Sequence, residues 1–544
     1  MGAWSALQIQ ANDRRLLTAF VWAGLGCLGV GAFFAILMLL VRTPALALLP
    51  AGVYYQALTG HGVFMFILWL SFAQTGLLLA ALLPLKRALS SYRLAWTGWA
   101  LMVLSAVLAL AAVLSGADVS YQAPAPLTQQ YPAAWLVYLS FTVLALGMLL
   151  LALVTILTLW RAVGRIGSLA AWAAFFKEIP ISSFAAVAGL LIAVPGLLMA
   201  LKTFAPALIW SLGFGELDAL DYRVNWHVAF HIYHYIPALT LVGVAYALVE
   251  LCAGAGSVYP KPLAKGLFLL YPLLVPPTFL YHLLADPNIP QAIKSAGTTL
   301  SLLVGTPTLL HVFIIVGMLE ARLRRAGPGV WLKRLPWSNP AFGSMAMGLV
   351  TLFVGGALSY LMLQEPLAAA FHNTFTVPAY VHAIAAGGAN LLYMGALYYA
   401  VPLLGGRRLR AVGLARWQPY LMGAALLCMS LFGVGAGLAG ALRRTPLQDG
   451  SATWSGWMNG SLGLGGGLAL VALVAFLWIM VRSLFGARAS SFEQTTQDLR
   501  SLPLAPATDP RTPFALVPPL VFVVGVLLLT ALAFQFLRSV AHGG

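Results

Sequence analysis

The chain has 544 residues, of which 61% are hydrophobic and only 8% charged, and its mean hydropathy is +0.91. A soluble domain contains about 45–50% apolar residues, so this composition excludes a soluble globule. The net charge of +16 is not the mark of a nucleic-acid partner, because the Lys and Arg residues stand in short runs between apolar segments. The expected environment is a lipid membrane, with no nucleic acid bound.

Apolar segments of about 20 residues, long enough to cross the bilayer, follow one another along the whole chain. They predict an all-α integral membrane protein with about thirteen transmembrane helices. These lie near residues 17–41, 58–84, 95–116, 134–160, 183–207, 224–251, 264–285, 293–320, 340–364, 375–404, 418–441, 460–485 and 514–538. The N-terminal segment lacks a signal-peptide cleavage pattern and is counted as a true span.

The chain divides into a twelve-helix membrane core over residues 1–485, a polar linker over 486–513, and an additional C-terminal transmembrane helix within 514–544. Basic residues concentrate in alternate loops, such as 322–334 and 407–410, whereas loops 117–133 and 286–292 are nearly free of them. The positive-inside rule therefore predicts that the N-terminus and the linker are in the cytoplasm and that the C-terminus is outside. The membrane is expected to be the inner (plasma) membrane of a cell.

Cys27, Cys252 and Cys428 are scattered through apolar stretches without a CxxC or CxxCH pattern. This excludes a disulfide framework, a zinc knuckle and a covalently attached c-type haem. The three cysteines are interpreted as small core residues.

Histidines carry the strongest functional signal. Eight of the nine lie in or beside predicted spans: His61, His227, His231, His234, His282, His311, His372 and His382. A single membrane histidine is more often a packing residue than a ligand. Five of these, His61, His382, His227, His231 and His282, are predicted at the outer ends of four helices and so share one layer. Imidazole is the commonest axial ligand of haem iron and also binds copper, so the layer is interpreted as a cofactor plane.

Arg443 and Arg444 are predicted at the outer end of the eleventh helix, at about the level of the histidine layer. Haem carries two propionate groups that need cationic partners, and guanidinium groups bind carboxylates well. The two arginines are therefore candidate propionate ligands.

Four longer motifs carry a family resemblance. They are YYQALTGHGV at 54–63, YHLLADPNIP at 281–290, LEARLRRAGPGVWLKRLPWSNPAF at 319–342, and FHNTFTVPAYVH at 371–382. Together they resemble subunit I of the ba-type (B-family) haem-copper oxidases, with the nitric-oxide reductases as more distant relatives. The resemblance implies a haem-copper oxidase bundle with a low-spin haem, b-type in the simplest case, held between His61 and His382. It also implies that His372 and Asn373 belong to the propionate neighbourhood.

The resemblance breaks down at the second centre. The family's high-spin haem ligand is replaced by Tyr380, and the adjacent His-His copper pair is Tyr281 and His282 here. The copper ligand of the sixth helix matches His227 only with an offset of one residue relative to Pro237. At the place of the family's cross-linked tyrosine, four residues later, this chain has His231.

Two interpretations of this second centre remain open. His227 and His231 are four residues apart on one helix face, so with His282 they could hold copper, iron or zinc opposite Tyr380. Tyr380 and Tyr281 are then the catalytic candidates, and Tyr380 could ligate a second haem as a phenolate. Alternatively, the histidines only pack and hydrogen-bond. The spacing also resembles the nitric-oxide reductases, which place a glutamate four residues after the histidine.

His311 and Thr308 are predicted deeper in the membrane than the histidine layer, where similar oxidases have a threonine of their proton path. A protonatable group inside the membrane is a functional candidate, although a packing role explains a single histidine as well. His311 and Thr308 are therefore candidate proton-path residues.

These features predict a respiratory oxidoreductase subunit that passes electrons through the low-spin haem to a second centre reducing dioxygen. The alternatives are a nitric-oxide-reductase-like enzyme and a low-spin haem electron carrier that has lost the second centre. A transporter is disfavoured because no paired broken helices appear. The sequence contains neither a binuclear copper motif nor a cytochrome c signature, so the electron donor is expected to be a separate subunit resembling subunit II, cytochrome c or quinol.

Overall fold

A computed structural model describes residue 4 and residues 9–117, 133–163, 168–254, 261–283, 290–324, 330–362, 365–446 and 449–499. The predicted helix near 514–538 and the second half of the predicted linker lie outside the described residues. Within these ranges the chain is almost entirely helical, and its only β-type pairs are isolated bridges, Thr374 with Leu442 and Arg407 with Arg488.

Sixteen α-helices are labelled here in chain order within the described residues. They are α1 (Ala11–Arg42), α2 (Val53–Leu85), α3 (Tyr92–Leu114), α4 (Ala134–Val163), α5 (Leu169–Glu178), α6 (Ile181–Ser211), α7 (Ala219–Ala253), α8 (Lys261–Leu274), α9 (Gln291–Val304), α10 (Thr306–Arg324), α11 (Pro340–Met362), α12 (Glu365–Phe371), α13 (Thr376–Gly405), α14 (Val412–Leu438), α15 (Ser455–Ser483) and α16 (Phe492–Thr496).

The all-α membrane fold is confirmed, but the count of thirteen transmembrane helices is not. In the described part of the chain, 11 helices are long and apolar enough to cross a membrane, with α9 and α10 counted as one. The predicted span 264–285 is instead the 14-residue α8 followed by a 3-10 helix, Pro276–Leu283. Pro276 and Pro277 lack the N–H that would continue an α-helix, which explains the break. The short helices α5 and α12 were not predicted.

Three spans contain π-helical segments, at Gly62–Leu68 in α2, His382–Ala389 in α13 and Asn459–Gly466 in α15. The first begins directly after His61 and the second begins at His382. A π-helical turn widens a helix and leaves carbonyl groups out of the regular pattern, and such turns are frequent at functional sites. Both candidate haem ligands therefore stand where their helices depart from α-geometry.

Close backbone contact joins α3 to α4. A Cβ atom placed on Gly98 would lie 2.8 Å from the carbonyl oxygen of Gly147, and a Cβ atom on Gly147 would lie 2.8 Å from that of Gly98. Small residues allow membrane helices to approach in this way, since lipid supplies little hydrophobic force between them. The two glycines therefore set the spacing of this helix pair.

The described half of the predicted linker, residues 486–499, packs onto the loop between α13 and α14. The guanidinium group of Arg408 donates two hydrogen bonds to the carboxylate of Asp498, at 2.8 and 2.7 Å. The backbone N–H of Ala489 donates to the Gly406 carbonyl, and Leu499 is fully buried. The first half of the predicted linker is thus attached to the helix bundle.

We expect the substitution Gly98→Ala to destabilise the protein by about 1–3 kcal/mol, because its methyl group would overlap the Gly147 carbonyl. Thermal unfolding of the protein in detergent measures the loss. The matched control is Gly26→Ala in α1, where a Cβ atom meets nothing within 4 Å. Equal unfolding temperatures for the two variants would show that α3 and α4 do not touch at these glycines.

Candidate functional site

His61 of α2 and His382 of α13 face each other across the bundle. Their ring centroids are 6.0 Å apart and their ring planes differ by only 7°. An imidazole nitrogen bonds a first-row transition metal at about 2 Å, so two such bonds plus the half-width of each ring account for a separation of this size. The separation of the two rings could therefore accommodate one metal ion between them.

Backbone carbonyls hold both rings in place. Nδ1 of His61 lies 3.3 Å from the Gly31 carbonyl oxygen, and Nδ1 of His382 lies 2.7 Å from that of Pro378. A carbonyl oxygen only accepts, so each Nδ1 carries the proton and donates it. This leaves the Nε2 lone pair of each ring to a metal, the arrangement typical of metal-binding histidines.

A buried hydrogen bond connects the two ligand helices below the rings. The indole N–H of Trp69 donates to the side-chain oxygen of Asn390 at 2.7 Å. Trp69 follows His61 by eight residues and Asn390 follows His382 by eight, each at the end of the π-helical segment. The bond therefore fixes the spacing of α2 and α13 at equal depth below both ligands.

The residues predicted to bind the haem propionates lie on the side of the rings opposite the Trp69–Asn390 bond. There, segment 372–374 and segment 442–444 are bonded to each other, and we call these two segments the clip. The backbone N–H of Arg443 donates to the Asn373 carbonyl at 3.0 Å, and its guanidinium group donates to the Asn373 side-chain oxygen at 3.2 Å. Thr374 and Leu442 pair as an antiparallel bridge. Segments that precede α13 and follow α14 are thus joined, which brings the two arginines next to His372 and Asn373.

Arg42 is bonded to this clip, and the sequence analysis missed it. Its side chain is 1% exposed, and it donates a hydrogen bond of 2.7 Å to the carbonyl oxygen of Leu442. The guanidinium carbon lies 5.7 Å from the ring centroid of Trp454. The available signal was an arginine that ends the apolar run of α1, because a buried cation in a membrane protein marks a functional position.

His372 lies between α12 and α13, outside the candidate spans, and is half-buried. Burial lowers the pKa of His372 to about 4, and the nearby cations Arg443 and Arg444 act in the same direction. The imidazole is therefore neutral at neutral pH. It offers a hydrogen bond to a carboxylate without adding a third charge to the two arginines.

A second histidine group lies between α7 and the 3-10 helix Pro276–Leu283. Nδ1 of His231 is 3.2 Å from Nε2 of His282. Nε2 of His231 is 2.8 Å from the Val275 carbonyl oxygen and 2.6 Å from the Thr278 hydroxyl. Because the carbonyl only accepts, Nε2 carries the proton and Nδ1 presents a lone pair toward His282.

This pair has the spacing of two ligands on one metal. Two nitrogens bonded at about 2 Å to a tetrahedral ion lie about 3.3 Å apart, close to the separation of His231 and His282. The ring of His227 is 5.6 Å from that of His282, and the ring of His234 is 6.3 Å from it. No group of three or more His, Cys, Asp or Glu residues in the described parts of the chain has metal-binding geometry. The two rings are at hydrogen-bond distance, and the same spacing would also suit two ligands of one ion.

The structure adds two residues to this group that the sequence analysis did not single out. His234 stacks near His282, and its ring centroid is 4.0 Å from that of Phe230. Tyr235 follows His231 by four residues, and the two rings are 5.1 Å apart. His231 and Tyr235, in the HIYHY run at 231–235, have the four-residue spacing from histidine to tyrosine that would have indicated Tyr235. Counting from Pro237 instead selected His227 and His231.

The two catalytic candidates are less well defined. Tyr380 is 8% exposed and lies two residues before His382 in α13, within electrostatic range of Arg443. His231 and His282 make the ring contacts described above with each other and with residues of α7, and Tyr380 takes part in none of these contacts. Tyr281 lies in the 3-10 helix next to His282, but its side chain is outside the described residues.

The proton-path candidates lie on α10, whereas the two histidine groups lie on α2, α7, α13 and the 3-10 helix Pro276–Leu283. Nδ1 of the fully buried His311 is 3.0 Å from the Tyr246 hydroxyl, and its ring centroid is 4.1 Å from that of Phe268. The hydroxyl groups of Thr308 and Tyr271 are 2.5 Å apart. Each candidate thus has one hydroxyl partner on a neighbouring helix.

Comparisons with known proteins agree on one family. The family model "Cytochrome C and Quinol oxidase polypeptide I" matches residues 15–468. Cytochrome c oxidase subunit 1 of Thermus thermophilus is 30% identical over 397 residues, 70% of this chain and 67% of that protein. A second Thermus thermophilus sequence of the same description is 32% identical over 108 residues, which cover 19% of this chain and all of that sequence.

The fold also resembles a solved structure. A heme-copper terminal oxidase dimer studied by cryo-electron microscopy superposes with a TM-score of 0.80 at 20% sequence identity, covering 98% of this chain and 92% of that one. At this identity the likeness concerns the fold alone.

The Trp69–Asn390 hydrogen bond gives a test of the site's frame. We expect Asn390→Leu to cost about 1–3 kcal/mol of stability, because it leaves the buried indole N–H without an acceptor. Adding Trp69→Phe should recover part of that loss, since no unpaired donor then remains. Thermal unfolding of the single and double variants measures the coupling. Additive losses would show that the two side chains are not bonded.

Proposed function

Because the chain belongs to the cytochrome c and quinol oxidase subunit I family, we propose that it is the membrane subunit of a respiratory oxidase with a low-spin haem between His61 and His382. The observation that carries this proposal is the parallel pair of imidazoles at 6.0 Å, each with its Nδ1 bonded to a carbonyl. Such a haem, b-type in the simplest case, would supply one-electron redox chemistry in the membrane.

The residues around the pair would orient and tune the haem. The carbonyls of Gly31 and Pro378 accept from Nδ1 of each ring, so that both Nε2 atoms would be left to bind the iron. Arg443 and Arg444, with His372 and Asn373, would bind the propionates, and their positive charge would stabilise the reduced form.

The second centre is proposed at His231 and His282, with His227 as the third ligand of a copper or non-haem iron ion. In this register Tyr235 has the position that oxidases give to their cross-linked tyrosine, four residues after the ligand. Tyr380 and Tyr281 remain the candidates for residues that face the bound gas, and dioxygen is the proposed substrate. His311 and Thr308, bonded to Tyr246 and Tyr271, are the proposed donors of a proton path.

A low-spin haem electron carrier is the second candidate function. It is favoured by Tyr380, which replaces the family's high-spin haem ligand, and by the histidine pair that offers two aligned nitrogens rather than three. Both functions need an electron-donating partner, a subunit resembling subunit II, cytochrome c or quinol. For both functions we propose a position in the plasma membrane, with the N-terminus in the cytoplasm and the C-terminus outside, from the distribution of basic residues among the loops.

We expect His61→Ala and His382→Ala each to abolish the low-spin absorption band of the reduced protein, because each removes one of two axial ligands. The measurement is a reduced-minus-oxidised spectrum of the purified protein. His311→Ala is the matched control, since this buried histidine lies outside the pair and should leave the band unchanged. An unaltered spectrum in both ligand variants would refute the assignment.

Replacing Arg443 and Arg444 with Gln should lower the midpoint potential of the haem, because positive charge near the propionates favours the added electron. A tenfold change in the one-electron equilibrium corresponds to about 59 mV, and we expect a fall of this order. Potentiometric titration followed by the haem band gives the value. Arg324→Gln, at the end of α10, serves as control, and an equal midpoint in both variants would exclude the arginine pair as propionate ligands.

Metal content decides between the oxidase and the carrier. We expect the purified protein to contain a non-haem metal ion that the double variant His227→Ala/His282→Ala has lost, because two of three imidazole donors are then absent. Elemental analysis normalised to haem measures it. Equal metal content in the two samples, or none in either, would remove the second centre and leave the carrier as the function.

A further inference from the structure

Four exposed cationic side chains surround the loop that connects α2 to α3. They are Lys86, Arg87, Arg93 and Arg161, and we call them the basic rim. Arg161, near the end of α4, donates a hydrogen bond of 2.7 Å from its guanidinium group to the carbonyl oxygen of Ser90. Ser90 lies between Arg87 and Arg93, so the end of α4 is bonded to the segment that carries the other three charges. None of the four belongs to either histidine group.

The loop between α2 and α3 is held to α4 by a further hydrogen bond. The backbone N–H of Ser90 donates to the Thr158 hydroxyl at 2.9 Å. Arg87 and Arg93 are each three residues from Ser90, so their Cα atoms lie no more than about 11 Å from its own. Long side chains at these positions can meet that of Arg161 at one ligand. The basic rim is therefore a preformed cluster of charges.

Three described segments come together at this end of the bundle, at residues 9–17, 83–97 and 154–163. Their one acidic residue is Asp13, which is 6% exposed and accepts a hydrogen bond of 2.7 Å from the Tyr92 hydroxyl. This bond also brings the start of α1 next to the start of α3. Arg14 and Arg15, both exposed, follow Asp13 and add two positive charges. The surface thus has a large excess of positive charge.

Tryptophan side chains indicate that the basic rim lies at the surface of a bilayer. Trp96 follows Arg93 by three residues on the same face of α3, and Trp160 directly precedes Arg161. Their side chains are 37% and 61% exposed, and tryptophan is enriched at the level of lipid headgroups. Farther along both helices the large exposed side chains include Leu104, Val107, Leu153, Ile156 and Leu157. The basic rim therefore adjoins the apolar surface that α3 and α4 present to lipid.

The chemistry of the basic rim fits a phosphate group. A guanidinium group has five N–H donors and binds phosphate oxygens in pairs, and the bond to Ser90 uses one donor of Arg161. α3 begins here without an acidic residue in its first turn, so the positive end of its dipole adds to the attraction. A zwitterionic headgroup brings its own ammonium group, which the basic rim repels. An anionic headgroup lacks that group and is favoured.

A protein with an acidic surface is the other class of partner that such a charge could attract. The adjoining tryptophans and apolar faces favour a phospholipid, because one lipid molecule can contact the cations with its phosphate and the apolar faces with its acyl chains. The distribution of basic residues among the loops also predicts that this end of the bundle is cytoplasmic, and cytoplasmic leaflets contain anionic lipids.

We propose that the basic rim binds the phosphate group of one anionic phospholipid of the phosphatidylglycerol type, whose acyl chains lie along the exposed apolar faces of α3 and α4. Arg87, Arg93 and Arg161 hold the phosphate, and Lys86 supplies a further cation. The site is independent of the haem and of the second centre, so its test does not depend on either.

Thermal unfolding of the full-length protein in a neutral detergent tests the proposal. Phosphatidylglycerol is titrated in one arm, phosphatidylcholine in a second and inorganic phosphate in a third. A ligand that binds the folded protein raises its unfolding temperature with concentration, so the concentration dependence gives an apparent affinity. We expect phosphatidylglycerol to raise the unfolding temperature, and equal concentrations of phosphatidylcholine or inorganic phosphate to leave it unchanged.

The variant Arg87→Gln/Arg93→Gln/Arg161→Gln should weaken the apparent affinity for phosphatidylglycerol about tenfold or more, because it removes three of the four cations. The milder variant Arg87→Gln/Arg93→Gln keeps the bond of Arg161 to Ser90, and with it the attachment of the loop to α4. It should weaken the affinity several-fold. Wild-type affinity in both variants would overturn the proposal.

The matched control is Lys261→Gln/Lys333→Gln/Arg488→Gln, which removes the same charge from exposed positions on other segments and should keep the wild-type affinity. Equal losses in the control and in the triple variant of the basic rim would show that only total charge matters, against the proposal. Equal stabilisation by phosphatidylcholine or inorganic phosphate would also contradict it. No response to phosphatidylglycerol would refute the lipid site and leave the basic rim to an acidic protein partner.

Discussion

The described structure is organised around the fixed separation of the imidazole rings of His61 and His382. The two helices that carry these rings are joined by the hydrogen bond between Trp69 and Asn390, which are 321 residues apart in sequence. A bis-histidine iron site requires both rings to present Nε2 to one point, at a distance set by two metal–nitrogen bonds. Inside a membrane, water cannot hold the rings in place. The backbone carbonyls of Gly31 and Pro378 have to do so.

Each level of the structure serves this constraint. The π-helical segments begin directly after His61 and at His382, and they end one residue before Trp69 and Asn390, which join the helices below the rings. Beyond the rings, Arg42 and the Arg443–Asn373 clip connect α1, α13 and α14 through Leu442 and Thr374. The Trp69–Asn390 bond thus ties α2 to α13 on one side of the rings, and the clip ties α13 to α1 and α14 on the other, so that a group bound between the rings would meet a preformed site. Such preorganisation lowers the cost of binding.

The sequence predicts the membrane fold, because hydropathy sets the spans. Depth places His61, His382 and Arg443 at one level and the family motifs single out the two histidines, and the structure brings these two rings face to face. The sequence does not predict Arg42 or the Trp69–Asn390 bond, since both depend on which faces of distant helices meet. The break after α8 was missed because prolines at positions 276 and 277 interrupt a segment whose hydropathy is continuous. Tyr235 was overlooked because one residue of register in α7 moves every side chain by about 100° around the helix.

The central claim is that one iron is bound by His61 and His382 together. Near-infrared magnetic circular dichroism of the oxidised wild-type protein tests it most directly, because the energy of the ligand-to-iron transition of a low-spin haem depends on its two axial ligands. We expect a single low-spin species with the transition energy of two imidazoles. A spectrum typical of one imidazole with a different sixth ligand, or of high-spin haem alone, would contradict it.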